Sequence, residues 1–153
     1  MLEVKGDIWK LYESGAAICI TTNGTVNVRG EIVMGRGTAL DAKKRIPKLP
    51  LELAKRLSII KNGKIYRKNL LMWFKEYNLF TFPVKHNWWE KADIDLIRKS
   101  AIELDGMMDL LGLEQVVLPR PGCGNGQLDW EKDVKPILKD ILDNRVLVIT
   151  NEP

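Results

Sequence analysis

Apolar residues recur in two different spacings along this chain of 153 residues, and the two kinds of segment alternate. Short apolar, β-branched runs predict buried strands over Ala16–Thr22, Asn69–Phe74, Asn78–Phe82, Gln115–Leu118 and Val146–Thr150. Apolar residues three or four apart predict helices over Gly6–Tyr12, Thr38–Arg45, Leu51–Ile60, Asp93–Leu111 and a segment from Trp130 that restarts at Pro136. This alternation indicates a single α/β domain, 1–153, with helices packed on a sheet.

Two glycine-rich segments interrupt this pattern, each just ahead of a predicted helix. The first loop, Val33–Ala39, reads VMGRGTA, and by itself it fits a structural turn as well as a phosphate site. The second loop, Pro119–Gln127, reads PRPGCGNGQ and follows a predicted strand. Its three alternating glycines exceed what a simple turn needs and favour a backbone cradle for an anion. Two such loops in one small domain suit a diphosphate.

Charge is distributed unevenly along the chain. The stretch 43–68 contains ten Lys or Arg and one acid, so it carries +9, whereas the whole chain carries +4. A polyanionic partner and a solvated helical face both explain such a stretch. One histidine and two cysteines give no ligand set for a structural metal, and neither a signal sequence nor a membrane span is predicted. The composition therefore suggests a protein of the reducing cytoplasm.

At the glycine loops the sequence resembles the macro domain family, whose members have a three-layer α/β/α fold with a central mixed sheet. Four segments carry the resemblance: Gly6-Asp7-Ile8, Thr21-Thr22-Asn23, 34–40 and 119–130. The resemblance implies ADP-ribose as ligand or as part of a substrate, with no further cofactor. It assigns the adenine amine to Asp7, although Asp7 could also be a helix cap, and the distal ribose to Asn23, with Asn27 as the alternative. The implied ligand-binding residues are Asp7, Ile8, Asn23, Met34, Gly35, Gly37, Thr38, Pro121, Gly122, Cys123, Gly124, Asn125, Gly126 and Gln127.

The segment 82–89, FPVKHNWW, resembles that of the branch containing DarG-type DNA ADP-ribosyl glycohydrolases and terminal ADP-ribose protein glycohydrolases. The resemblance gives Lys85 the catalytic role, which is attack on C1″ of the distal ribose or stabilisation of charge there. Gly126 stands where the protein-directed relatives have an aspartate, and this favours the DarG-like form. The expected setting is the cytoplasm of a bacterium or of a phage-infected host cell, with a monomeric protein.

Several nearby residues carry more than one interpretation. Trp88 and Trp89 are predicted to divide two tasks, stacking on a nucleic-acid base and packing under the Asp93 helix. Lys43, Lys44 and Arg45 are weaker candidates for contacting the same nucleic acid. His86 is predicted to be a surface residue, since no carboxylate partner is evident. Cys123 is predicted to be a small loop residue, although the neighbouring helix N-terminus would lower its thiol pKa.

Three functions remain open at this point. A DarG-like hydrolase would remove ADP-ribose from a modified nucleic acid such as DNA. A phosphatase acting on ADP-ribose 1″-phosphate would need the same cavity and an activated water. A binding module would recognise free or attached ADP-ribose without cleaving it. The three share one requirement, which is a cavity that holds ADP-ribose.

Overall fold

The computed structural model describes residues 1–150, which contain eight strands, six of them in one sheet. The strands are β1 (Leu2–Lys5), β2 (Ala17–Thr22), β3 (Ser58–Lys61), β4 (Lys64–Arg67), β5 (Met72–Phe74), β6 (Leu79–Pro83), β7 (Val116–Pro119) and β8 (Val146–Thr150). The sheet has the order β1-β8-β7-β2-β6-β5. Only β5 is antiparallel to its neighbour, so the predicted mixed sheet is confirmed.

Five α-helices cover the two faces of this sheet. They are α1 (Ile8–Glu13), α2 (Gly37–Arg45), α3 (Leu49–Leu57), α4 (Ile94–Leu111) and α5 (Lys135–Ile141). Apolar residues of the first three pack on one face of the sheet, and those of α4 and α5 pack on the other. The three-layer α/β/α prediction is therefore confirmed. Within residues 1–150, no helix combines the length and the apolarity needed to cross a bilayer.

The predicted helix Leu51–Ile60 is wrong in its last turn. Helix α3 ends at Leu57, and Ser58–Lys61 forms β3, which pairs with β4 in a separate two-stranded hairpin. The turn at Asn62-Gly63 was predicted, and both residues have positive φ, 53° and 74°. This is the type I′ geometry that suits the twist of a hairpin, so the turn residues and β-branched Ile59 outweigh the helical pattern.

Three smaller differences concern element boundaries. Strand β1 was not predicted, because Leu2–Lys5 is short and mostly exposed. Strand β5 begins at Met72 rather than at Asn69. Trp130–Val134 forms a π-helical turn before α5, which agrees with the predicted restart near Pro136. A proline at the start of α5 costs nothing, since its missing N–H would have no partner there.

The carboxyl ends of β2, β6 and β7 lie at one edge of the sheet. Thr22 is paired in register with Pro83, and Pro119 ends β7 on the other side of β2. In open α/β sheets, ligands bind at loops beyond these ends. The segments that follow the three strands are those of Asn23, of Lys85 and of the second loop, so the topology gathers them around one site.

One buried hydrogen bond fixes α4 to this edge. Ser100 is buried, and its hydroxyl donates to the Pro83 carbonyl at 2.7 Å. We expect Ser100→Ala to lower the free energy of unfolding by about 1–2 kcal/mol, because the buried carbonyl loses its donor. Urea denaturation would measure this, with Ser14→Ala as control. Ser14 makes a comparable bond to Leu11 at 2.8 Å but is exposed, so equal losses in the two variants would contradict the explanation.

Candidate functional site

A cavity of about 510 Å³ opens at the carboxyl edge of the sheet. Its walls come from the ends of β2, β6 and β7, from the first loop with the start of α2, and from the second loop. The lining residues are Thr21, Thr22, Asn23, Val33, Met34, Gly35, Arg36, Gly37, Thr38, Ala39, Asp41, Val84, Lys85, Trp88, Pro119, Arg120, Gly122, Cys123, Asn125 and Gly126. This volume suits a ligand of nucleotide size, since small-molecule sites span about 300–1,000 Å³.

The first loop presents the start of a helix to the cavity. Helix α2 begins at Gly37, and its N-cap Arg36 makes no side-chain capping bond. The first-turn amides therefore have no side-chain cap, and the helix dipole adds partial positive charge there. Thr38 fixes this turn to the sheet by accepting from the Thr21 amide at 3.4 Å. A helix start of this kind is suited to bind an anion.

The second loop is folded back on itself. Leu128 N–H donates to the Gly122 carbonyl at 3.0 Å, and Ala92 N–H donates to the Gly126 carbonyl at 3.0 Å. A Cβ on Gly126 would stand 2.3 Å from the Gly122 oxygen, so only glycine fits. Within residues 1–150, the main-chain N–H groups of Asn125 and Gly126 donate to no main-chain carbonyl, and both residues line the cavity. Unpaired amides in a glycine-rich loop are suited to bind an anion.

The two loops meet across the cavity. A Cβ on Gly37 would stand 3.9 Å from the side-chain nitrogen of Asn125, and both residues line the cavity. The two loops therefore border the same space and lie close enough for one ligand to contact both.

Lys85 lies between these loops and the end of β6. Its ammonium donates to the carbonyls of Trp88 and Asn125, each at 3.3 Å. Burial lowers the pKa of Lys85, and the positive charge of Arg36 lowers it further. The Lys85 amine therefore loses its proton at a lower pH than the amine of an exposed lysine does.

Main-chain and side-chain hydrogen bonds hold the segment that carries Lys85. The Thr22 carbonyl accepts from the amides of Val84 at 2.9 Å and Lys85 at 3.4 Å. The Asn69 side-chain amide donates to the Lys85 carbonyl at 2.8 Å. Sequence reasoning gave Asn69 no role, and the structure identifies it as a positioning residue for Lys85.

The cavity is lined by more cations than carboxylates. Arg36, Lys85 and Arg120 line it with a single carboxylate, Asp41. Asp41 accepts from the Trp9 indole at 3.2 Å, and Arg120 lies 3.5 Å from Glu3. The balance favours an anionic ligand.

Most predicted ligand-binding residues line the cavity, and five do not. Asn23, Met34, Gly35, Gly37, Thr38, Gly122, Cys123, Asn125 and Gly126 are in its walls. Pro121, Gly124 and Gln127 belong to the second loop but are not wall residues. Asp7 caps α1 by accepting from the Trp9 amide at 2.9 Å, and Ile8 is the buried first residue of that helix.

The structure separates the two candidate asparagines at the distal ribose. Asn23 lines the cavity and holds its shape, donating to the Val33 carbonyl and accepting from the Thr25 amide, both at 2.9 Å. Asn27 is exposed and accepts from the amides of Arg29 and Glu31 in an outer turn. Only Asn23 is placed to contact a ligand in the cavity.

Both tryptophans of the Lys85 segment are exposed. Trp88 and Trp89 form an edge-to-face pair with centroids 5.9 Å apart, and only Trp88 lines the cavity. The prediction that one of them packs under the Asp93 helix is therefore wrong. Lys43, Lys44 and Arg45 form the last turn of α2, away from its cavity-facing start, and Arg45 pairs with Glu13 at 2.9 Å.

Two expectations about single residues need correction. His86 does have a carboxylate partner, Asp93, at 2.7 Å, yet it remains exposed and outside the cavity walls. That pairing lowers the pKa of Asp93. Burial raises the pKa of the Cys123 thiol to about 11, which reverses the expected effect of the nearby helix. Cys123 lines the cavity as a protonated thiol.

Sequence reasoning missed several wall residues. Thr22, Val84 and Arg120 stand at the ends of β2, β6 and β7, so the rule that ligands bind beyond strand ends would have found them. Arg36 lies inside the first loop, and the predicted phosphate site there rested on the loop's glycines alone. Asp41 is one turn into α2, and only the fold brings it to the cavity.

A mixed sheet between two helical layers, with two glycine-rich loops around a cavity at its carboxyl edge, is the arrangement expected of a macro domain. No family model matches the sequence. The chain is 26% identical to the macrodomain of Mycobacterium tuberculosis DarG, over 99% of this chain and 97% of that one, with a TM-score of 0.67. The chain has the macro domain fold and is similar to the macrodomains of the DarG branch.

Two further comparisons agree with this assignment. Over 123 residues the chain is 30% identical to the DNA ADP-ribosyl glycohydrolase of Mycobacterium tuberculosis, which is 78% of this chain and 35% of that protein. The chain thus spans about a third of that curated relative. Thermosipho africanus DarTG in complex with ADP-ribose has the same fold, at a TM-score of 0.70 and 20% identity, over 99% of this chain and 42% of that one.

Proposed function

We propose that this protein hydrolyses the bond between C1″ of ADP-ribose and a modified nucleic acid, with DNA as the favoured substrate. The observation that carries the proposal is the position of Lys85. Its amine lines the same cavity as the two main-chain cradles and is hydrogen-bonded to the second loop. A ligand whose diphosphate is held by the loops would present its outer ribose to this amine.

Binding of ADP-ribose is supported by the free amides and by the charge of the walls. The α2 start and the second loop offer main-chain donors to two neighbouring phosphates, and Arg36 and Arg120 add positive charge. DarG macro domains, which this chain resembles, come from proteins of the DNA ADP-ribosyl glycohydrolase type. The shared fold and this donor set support the same ligand here.

The hydrolysis transfers hydroxide from water to C1″ and a proton to the released base. Lys85 would act in one of two forms. In the first, the neutral amine forms a bond to C1″ as the bond from C1″ to the base breaks, the amine's proton passes to the base, and water then hydrolyses the amine–C1″ adduct to free ADP-ribose and amine. In the second, water attacks C1″ directly and the ammonium stabilises charge on the departing base. The lowered pKa of Lys85 makes the neutral form more accessible, and it supports the first route.

Four measurements test the proposal. Calorimetry with ADP-ribose tests the cavity, and absence of binding at millimolar ligand would end the proposal. Parallel incubation with an ADP-ribosylated DNA oligonucleotide, an ADP-ribosylated protein and ADP-ribose 1″-phosphate then identifies the reaction. We expect release of ADP-ribose from DNA. Release only from protein, or only loss of the 1″-phosphate, would assign one of the other activities, and binding without turnover would leave a binding module.

A pH profile tests the amine form of Lys85. Arg36→Gln removes the positive charge that helps to lower the Lys85 pKa, so that pKa should rise. The neutral fraction at a given pH then falls, and the acidic limb of kcat against pH should move to higher pH. Arg120→Gln is the control, because Arg120 also lines the cavity but is not among the causes of the Lys85 shift. Equal displacement in the two variants would contradict the explanation.

A further inference from the structure

The β3–β4 hairpin stands apart from the six-stranded sheet and exposes an unusual set of side chains. Its large apolar residues are 45–76% exposed, and they are Ile59, Ile60, Ile65 and Tyr66. A two-stranded hairpin is at best marginally stable by itself. Exposed apolar side chains grouped on such an element mark an interaction surface rather than a core.

The register of the hairpin sorts these side chains onto two faces. Ile59 is opposite Tyr66 and Lys61 is opposite Lys64, and these two pairs share one face because alternate residues point the same way. We name this set, Ile59, Lys61, Lys64 and Tyr66, the basic face. The other face carries the pairs Ser58–Arg67 and Ile60–Ile65.

The basic face has unbalanced positive charge. Like charges directly opposite each other destabilise a strand pair, and Lys61 and Lys64 are such a pair. Within residues 1–150, neither lysine nor Arg67 has a carboxylate partner, and the sequence contains no acid from 53 to 75. An anion between the two ammonium groups would relieve their repulsion.

The base of the hairpin adjoins the segment of Lys85. The Lys68 amide donates to the Leu57 carbonyl at 2.9 Å and closes the hairpin base. The next residue, Asn69, donates its side-chain amide to the Lys85 carbonyl at 2.8 Å. The hairpin is thus connected, through Asn69, to the segment that carries Lys85.

We infer that the basic face binds the nucleic-acid strand that flanks the ADP-ribosylated nucleotide. Lys61 and Lys64 contact backbone phosphates, and the Tyr66 ring stacks on an unpaired base. Phosphates at regular spacing match two adjacent cations, and aromatic stacking favours bases over an acidic peptide. This inference rests on the proposed function for its substrate, but the contact with nucleic acid can be measured without the reaction.

Binding of an unmodified, fluorescein-labelled single-stranded oligonucleotide tests the contact directly. We expect K61Q/K64Q to weaken binding about tenfold at low salt and to reduce the slope of log affinity against log salt by roughly one to one and a half. Tyr66→Ala should weaken binding by about tenfold or more, with little change in the slope. The matched control is K10Q/K139Q, which removes the same charge from exposed positions on α1 and α5. Equal binding by the two double variants would overturn the inference.

Two other occupants are outcomes of the same experiment. Poly-glutamate that displaces the oligonucleotide at equal charge concentration would assign the face to an acidic protein and overturn the inference. Sedimentation that shows a dimer dissociated by Ile65→Ser would assign the hairpin to a second copy, with the same consequence. Thermal melting of each variant confirms that it is folded.

The substrate assay separates the two proposals. On ADP-ribosylated oligonucleotide we expect K61Q/K64Q to lower kcat/KM about tenfold and to leave kcat and the affinity for free ADP-ribose unchanged. If the native protein binds the oligonucleotide through the hairpin but releases no ADP-ribose from it, the proposed function fails and the contact stands. If it releases ADP-ribose and both double variants match it, the contact fails and the function stands.

Discussion

Lys85→Met should reduce release of ADP-ribose from a modified oligonucleotide by at least about 100-fold, the usual contribution of a positioned proton-transfer or nucleophilic group. Methionine keeps the length of the side chain but has no amine. The affinity for free ADP-ribose should change by less than about tenfold, because the proposed diphosphate site consists of main-chain groups. Single-turnover kinetics and calorimetry measure the two quantities separately.

The control for this substitution is Lys91→Met. Lys91 is an exposed lysine six residues farther along the same segment, and it is not a wall residue of the cavity. It should leave turnover unchanged. A Lys85→Met protein that works at the native rate would remove the amine from the reaction, while the ADP-ribose site would be unaffected.

Gly126→Ala should abolish measurable binding of ADP-ribose. The new methyl group would stand 2.3 Å from the Gly122 oxygen and 2.7 Å from its carbonyl carbon, and main-chain atoms there cannot rotate aside. The second loop must open, and its main-chain groups would move away from the proposed phosphate position. We expect a loss of at least about 100-fold in affinity, equivalent to roughly 2.7 kcal/mol, measured by calorimetry.

Gly106→Ala is the matched control for the loop variant. Gly106 lies inside α4, where an added Cβ meets nothing within 4 Å. Alanine there should leave affinity unchanged and raise stability by about 0.5–1 kcal/mol. If Gly126→Ala binds ADP-ribose as tightly as Gly106→Ala does, the second loop is not the diphosphate cradle.

The sequence predicts correctly those elements whose local conformational preference is the same as the conformation that tertiary packing requires. Helix α4 has apolar residues three or four apart and is followed by Gly112 in the left-handed conformation, so both of its ends could be predicted. The hairpin at Ile59 could not be predicted, because apolar residues at helical spacing continue past Ser58 to Ile59 and Ile60. The strand forms there because it pairs with β4 across the turn. Strand β1 is short, exposed and defined by its pairing with β8.

The same distinction applies to the site. The second loop was recognisable because its three alternating glycines exceed what a turn needs, and the family resemblance singled out the first loop and Lys85. Asn69 and Asp41 were not recognisable, because they reach the site from separate elements. Isolated polar residues of this kind carry no local signature, and only the fold brings them together.

The hydrogen bond from Lys85 to the Asn125 carbonyl joins the proposed reactive group to the loop proposed to hold the phosphates. On the proposed function, binding of the phosphates would set the backbone orientation of Asn125 and, through this bond, the direction of the amine. A minimal analogue, such as a ribosylated thymidine without its ADP portion, would then be a poor substrate through a low kcat as well as through weak binding. Selectivity for the complete ADP-ribosyl group would thus arise during bond cleavage, at a distance from the phosphates themselves.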